Sequence, residues 1–142
     1  MTTRETRKKL KKEPQDINTL HRYYIYAISM KSHFEEILKN EQNTKEQQIM
    51  RDMYMSLWYG MLYVVVEGWQ QLKLTDEKIN KLLKSNNIKL LKRYRNGTFH
   101  FQKNYNDDRF KDFFNEPTTV EWSRSLNKHL GRWFLENLKK QK

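Results

Sequence analysis

The chain contains no cysteine, and that absence removes disulfides, thiol nucleophiles and Cys-type zinc sites together. It agrees with a reducing interior, and a cytoplasmic location is the expectation. Only four glycines and two prolines occur among 142 residues, so the turn chemistry that many short strands require is scarce. The longest apolar run, Met53 to Val66, is interrupted by Ser56 and ends at Glu67, short of the roughly 18 residues that argue for a membrane span. It reads as a buried helix, and no membrane is expected as a partner. Met1 to Lys12 is polar and basic without an apolar h-region, so no secretory signal peptide is expected. No glycine-rich phosphate loop follows a strand, and no serine sits in a glycine elbow.

What the chain does hold is Leu, Lys, Glu, Gln and Met in quantity, the residues of long helices. Its length suits one domain with one core. From about Asp16 to Lys39, Ile17, Leu20, Tyr24, Ala27, Ile28, Phe34, Ile37 and Leu38 recur at the spacing of one helix face. Thr44 with Gln47 forms a capping box for a second long helix, with Ile49, Met53, Leu57, Met61, Val64, Val65 and Leu72 inward. A short link joins the two, so they should pack antiparallel. Thr75 is the expected cap of a shorter helix carrying Ile79, Leu82 and Leu83, and another begins near Ile88. A short helix is expected within Lys103 to Glu116, stopped by Pro117. Thr118 with Glu121 is a second capping box, opening a last helix with Val120, Leu126, Leu130, Trp133, Phe134 and Leu138 inward. The expected fold is all-α, an up-and-down helical bundle with two long antiparallel helices and two to three shorter ones.

Charge is abundant and uneven, with a formal net of +11. Met1 to Glu13 has six basic residues against two acidic ones, and with Pro14 it reads as a mobile basic arm. Lys73 to Lys103 has nine basic residues against two acidic ones, a net of +7. Such a surface favours polyanions through counterion release, although solvated lysines on a helix would look the same in sequence.

Inside that basic third lies Arg93-Tyr94-Arg95-Asn96-Gly97-Thr98-Phe99-His100-Phe101. A guanidinium fork can hold two phosphate oxygens, and an imidazole can take a proton from one oxygen and return it to another without a metal. Arg124 and His129 repeat the same separation within the regular last helix, where they can be surface groups. The first pair differs because Asn96, Gly97 and Thr98 are poor helix formers. On a straight helix, residues five apart sit about 140° from alignment. Either the helix distorts near Gly97, or two copies of the segment share one cleft.

Arg95-Asn96-x-x-x-His100, late in an all-α chain after a long antiparallel helix pair, resembles the signature of HEPN-domain proteins (higher eukaryotes and prokaryotes nucleotide-binding). The likeness covers the helical layout of most of the chain, with a basic arm at 1–14 and one HEPN-like domain at 15–142. Its specific part is those six residues. The resemblance implies a metal-independent endoribonuclease without a cofactor, of toxin or antiviral-defence type. It also implies a homodimer with RNA as substrate and an antitoxin or regulatory protein as a further partner. Carried over, His100 is the acid/base, Arg95 the phosphate clamp and Asn96 the residue that orients them. Some toxin members carry a tyrosine two residues after the histidine, modified in regulation; Gln102 stands there, so that control is not expected, although Tyr105 is near.

Glu67 follows three valines, so it either pairs with Arg95 or His100 or points to water as an edge residue. Lys89, Lys92, Arg93 and Lys103 flank the motif and are candidates for holding an RNA backbone. His21, His33 and His129 lack the partners of a metal set, and no metal is expected. The rival reading is a non-catalytic helical module that binds nucleic acid or protein in a regulatory role.

Overall fold

The computed structural model describes residues 14–40 and 43–139. The basic arm, apart from Pro14, lies outside the described residues. Pro14 belongs to the first helix, α1 (Pro14–Lys39), where a missing backbone N–H costs nothing. Among the described residues five more helices follow: α2 (Lys45–Gln71), α3 (Glu77–Leu83), α4 (Asn87–Phe99), α5 (Asp108–Asn115) and α6 (Thr119–Lys139). The fold is an all-α bundle. No helix among the described residues is long and apolar enough to cross a membrane.

α1 and α2 form the long antiparallel pair. Leu20, early in α1, presses against Gly68 late in α2, while His33 stacks on Tyr54 at 5.0 Å and Phe34 meets Trp58 at 6.0 Å. α2 starts as its composition directs, with the Thr44 hydroxyl accepting from the Gln47 N–H. It ends in a Schellman turn: Lys73 takes φ 53°, its N–H donates to Gln70 O, and Leu74 N–H donates to Trp69 O.

α6 lies along the same pair, parallel to α2. Trp58 Nε1 donates to Asn127 Oδ1 at 3.3 Å, Tyr24 Oη to Asn127 O at 3.4 Å, and Trp69 packs edge-on to Trp133 at 4.9 Å. Leu62, Val65, Leu126 and Leu130 fill the centre, together with Ile79 of α3, Leu91 of α4 and Phe113 of α5.

Several expectations need correction. Asp76, not Thr75, caps α3, because its carboxylate accepts from the Ile79 N–H at 3.1 Å and pairs with Arg132 at 2.8 Å, which a hydroxyl could not do as well. Burial raises the Asp76 carboxyl, but the backbone bond and Arg132 outweigh it and hold the group below the usual carboxylate range. At α6, the Glu116 carboxylate takes both the N–H and the hydroxyl of Thr118. Val120 faces outward, and Thr119, Trp122 and Ser123 turn inward in its place. Leu38 is likewise exposed. On α2 the buried stripe is Trp58, Tyr59, Leu62, Tyr63, Val65, Val66 and Trp69; Ile49 and Met53 are 58% and 46% exposed. In the first half of α2, Tyr54 and Met55 still pack against the core, whereas Ile49 and Met53 lie outside it.

Candidate functional site

α4 is anchored by its apolar side. Leu91 and Tyr94 are buried, and Asn87 Nδ2 donates to Thr118 Oγ1 at the entrance to α6. The Tyr94 hydroxyl reaches Ser56 of α2 at 3.0 Å. Burial pushes that phenol up to about 12, the bond to Ser56 opposing and Asp52 adding to the rise. Fixing these residues inward turns Lys89, Lys92 and Arg93 outward, where all three are exposed.

Arg95 sits at the edge of that face and is held from three sides. Its NH1 is ion-paired to Glu67 of α2, its Nε donates to Asn96 Oδ1 at 2.9 Å, and its guanidinium lies 4.9 Å from the Tyr63 ring centre. The Arg95 side chain is 18% exposed and that of Glu67 42%. Of the alternatives open for Glu67, the structure shows the pair with Arg95. Asn96 does touch the arginine beside it. Burial, with Glu67 adding and Arg95 opposing, raises the Tyr63 phenol.

His100 goes elsewhere. The helix keeps its regular bonding to the end, with His100 N–H donating to Asn96 O at 3.0 Å, and no glycine has a positive φ. A distortion near Gly97, one of the two alternatives, is therefore absent. Gly97 serves instead as the place where α5 comes close: a Cβ there would lie 2.8 Å from Phe110 Cζ and 3.3 Å from Arg109 Cβ. At His100 the backbone turns extended, with φ −120° and ψ 129°. Its exposed ring meets no hydrogen-bonding partner among the described residues.

His100 lines an open groove of about 1120 Å³ between the first half of α2, the end of α4, the connection that follows it, and α5. Arg95 does not line this groove. Its own contacts, Tyr63 and Glu67, belong to the second half of α2, whereas the groove is bounded by α2 residues from Lys45 to Ser56. A single chain thus places the two motif side chains against different halves of α2. Of the two routes to one shared cleft, the local distortion is not taken, and a second chain is the route left open.

Among the flanking cations, Arg93 is paired with Asp112 of α5 at 2.9 Å, both side chains nearly half exposed. Lys89, Lys92 and Lys103 have no carboxylate partner among the described residues. His21 sits against Tyr24 and Phe134, His33 against Tyr54, and His129 is held below its ordinary pKa by burial first and then by Arg132 and neighbouring lysines. No group of three or more His, Asp or Glu among the described residues could hold a metal ion.

Tyr63 is a site residue that the sequence reading passed over, while Phe101 and Tyr105 were named beside the motif without a role. Tyr63 had a usable signal, since it stands four residues before Glu67 on one helix and thus on the same face. Phe101 and Tyr105 had a weaker one, as aromatics falling outside any helical period. Compared with family models, with curated proteins and with solved structures, the chain finds no match in any of the three.

Proposed function

We propose that this chain is a metal-independent endoribonuclease of the HEPN type that acts as a homodimer in the cytoplasm, serving as a toxin or antiviral-defence effector held in check by a regulatory protein. The observation that carries the reading is the exposed, unpartnered His100 ring on an open groove, five residues from an arginine whose Nε is already oriented by Asn96.

In the proposed reaction His100 removes the proton of a ribose 2′-OH, and that oxygen attacks the adjacent phosphorus. The bond from phosphorus to the 5′-oxygen breaks, and the leaving oxygen takes a proton from the imidazolium or from the histidine of the second copy. Arg95 neutralises charge on the non-bridging oxygens. The products are a 2′,3′-cyclic phosphate and a 5′-hydroxyl. The nucleophile is internal to RNA, so the scheme needs no metal-activated water and leaves DNA intact. Dimerisation supplies what one chain lacks, an arginine and a histidine aimed at the same linkage.

The test is single-stranded RNA incubated with the purified chain in excess chelator, beside His100→Ala and Arg95→Ala. Cleavage should leave cyclic-phosphate ends and fall by about a hundredfold or more in each variant. Cleavage that requires added metal, or that survives in both variants, rejects the mechanism.

A second reading, a non-catalytic RNA-binding module, is favoured by one observation: Arg95 is already neutralised by Glu67. Salt-sensitive RNA binding with no cleavage would select it.

A further inference from the structure

We propose that the groove beside His100 is a binding site for unpaired nucleobases, with Phe101 and Tyr105 as its stacking platforms. This rests on the endoribonuclease reading and adds to it a site that holds the bases beside the scissile linkage. Phe101 is 90% exposed and Tyr105 86%, far beyond what aromatic rings usually show on a finished surface. Phe101 follows His100 directly and Tyr105 stands five residues after it, both in the connection between α4 and α5, and both line the same groove as its ring.

The groove wall sets polar groups among apolar ones such as Ile49, Met53 and Phe114. The side-chain amides of Asn106 and Asn115 border it with no partner among the described residues, offering donors and acceptors of the kind that meet base edges. Lys45 and Lys111 supply positive charge at the lining against one carboxylate, Asp52, in a chain of net charge +11. Protruding rings, free amides and lysines together fit a nucleobase with its phosphate. A duplex keeps its base faces stacked on one another and cannot offer them to Phe101.

The connection is held in shape, so the platforms are presented rather than trailing. Gln102 Nε2 donates to His100 O at 2.9 Å, Arg109 NH1 donates to Gln102 Oε1 at 3.0 Å, and Asn106 N–H donates to Asn104 Oδ1 at 3.1 Å. Two of these bonds lie within the connection, and the third ties it to the first turn of α5.

The experiment measures binding, in full-length protein carrying His100→Ala so that no RNA is cut. A fluorescent single strand of about 12 nucleotides and a hairpin duplex of matched charge are titrated, followed by anisotropy. Adding Phe101→Ala or Tyr105→Ala should weaken single-strand binding about tenfold each, with duplex binding and helical content unchanged. Phe101→Trp and Tyr105→Phe should keep the affinity. Unchanged single-strand affinity, or an equal loss for duplex, overturns the proposal. So does a shift in sedimentation with RNA binding intact, which would make the rings a self-association surface. Because cleavage is not read, an inactive wild-type chain would sink the nuclease reading while leaving this result interpretable.

Discussion

Replacing Gly97 with alanine opposes two effects whose sizes can be set against each other. In the interior of a helix, Gly→Ala is worth about 1 kcal/mol in favour of folding, and Gly97 has no positive φ that would forbid a side chain. Against this stands α5. The new methyl would sit 2.8 Å and 2.9 Å from two atoms of the Phe110 ring and 3.3 Å from Arg109 Cβ, which is close to backbone and cannot swing away. Phe110 is itself packed edge-on to Tyr94 at 5.1 Å, so moving its ring surrenders that contact. Overpacking of this kind costs about 1–3 kcal/mol. With about 2 kcal/mol taken for the clash, Gly97→Ala should destabilise by about 1 kcal/mol net, and Gly97→Val by about 2 kcal/mol because valine gains less helix propensity and adds volume. Urea denaturation followed by circular dichroism reads both. The decisive arm is the cycle with Phe110→Ala: once the ring is gone, Gly97→Ala should become neutral or stabilising, a coupling of about 1–2 kcal/mol. A Gly97→Ala chain that is simply about 1 kcal/mol more stable than wild type would refute the close approach of α5.

Glu67→Gln should leave stability within about 1 kcal/mol, since the glutamate is 42% exposed, yet raise RNA affinity about threefold and steepen the salt dependence by about 0.7 in log–log slope, as Arg95 becomes free to meet a phosphate. Weaker binding together with lost cleavage would instead make Glu67 a positioning residue. Asp76→Ala should cost about 1–2 kcal/mol at neutral pH, from the lost cap of α3 and the lost partner of Arg132. Because the folded-state pKa of Asp76 is depressed, its charge-dependent stabilisation is complete above the ordinary carboxylate pKa of about 4. It fades as pH falls through the lower folded value, so the gap between wild type and Asp76→Ala should narrow below pH ~4; a gap that widens there would contradict the assignment. Asn127→Leu strands the indole N–H of Trp58, a side chain only 1% exposed, and should cost about 1–3 kcal/mol by chemical denaturation; no loss would mean that bond contributes nothing.

The motif segment shows where reading residues one at a time runs out. Asn96, Gly97 and Thr98 are poor helix formers, and local propensity therefore points to a distorted helix end. Tertiary packing overrides it: Tyr94 is clamped between α2 and α5, Thr98 Oγ1 bonds to Tyr94 O at 3.1 Å, and the helix runs intact to Phe99. The carboxylate after three valines was legible as a group in need of a partner, yet its choice of Arg95 depended on how α4 crosses α2. Likewise Thr75 and Asp76 are both good caps by composition, and Arg132, 56 residues away, adds its weight to the aspartate.

Sequence alone was enough for the all-α class, the antiparallel long pair, the cap at Thr44 and most positions of the inward stripe on α1, because these depend on periodicity and on side-chain bonds spanning three or four residues. It could not determine that Arg95 and His100 diverge along α2, that Ile49 and Met53 stay uncovered, or that Phe101 and Tyr105 stand out beside the histidine. Those facts depend on which surfaces of separate helices meet and which are left without a neighbour, and that is decided only when the whole chain packs.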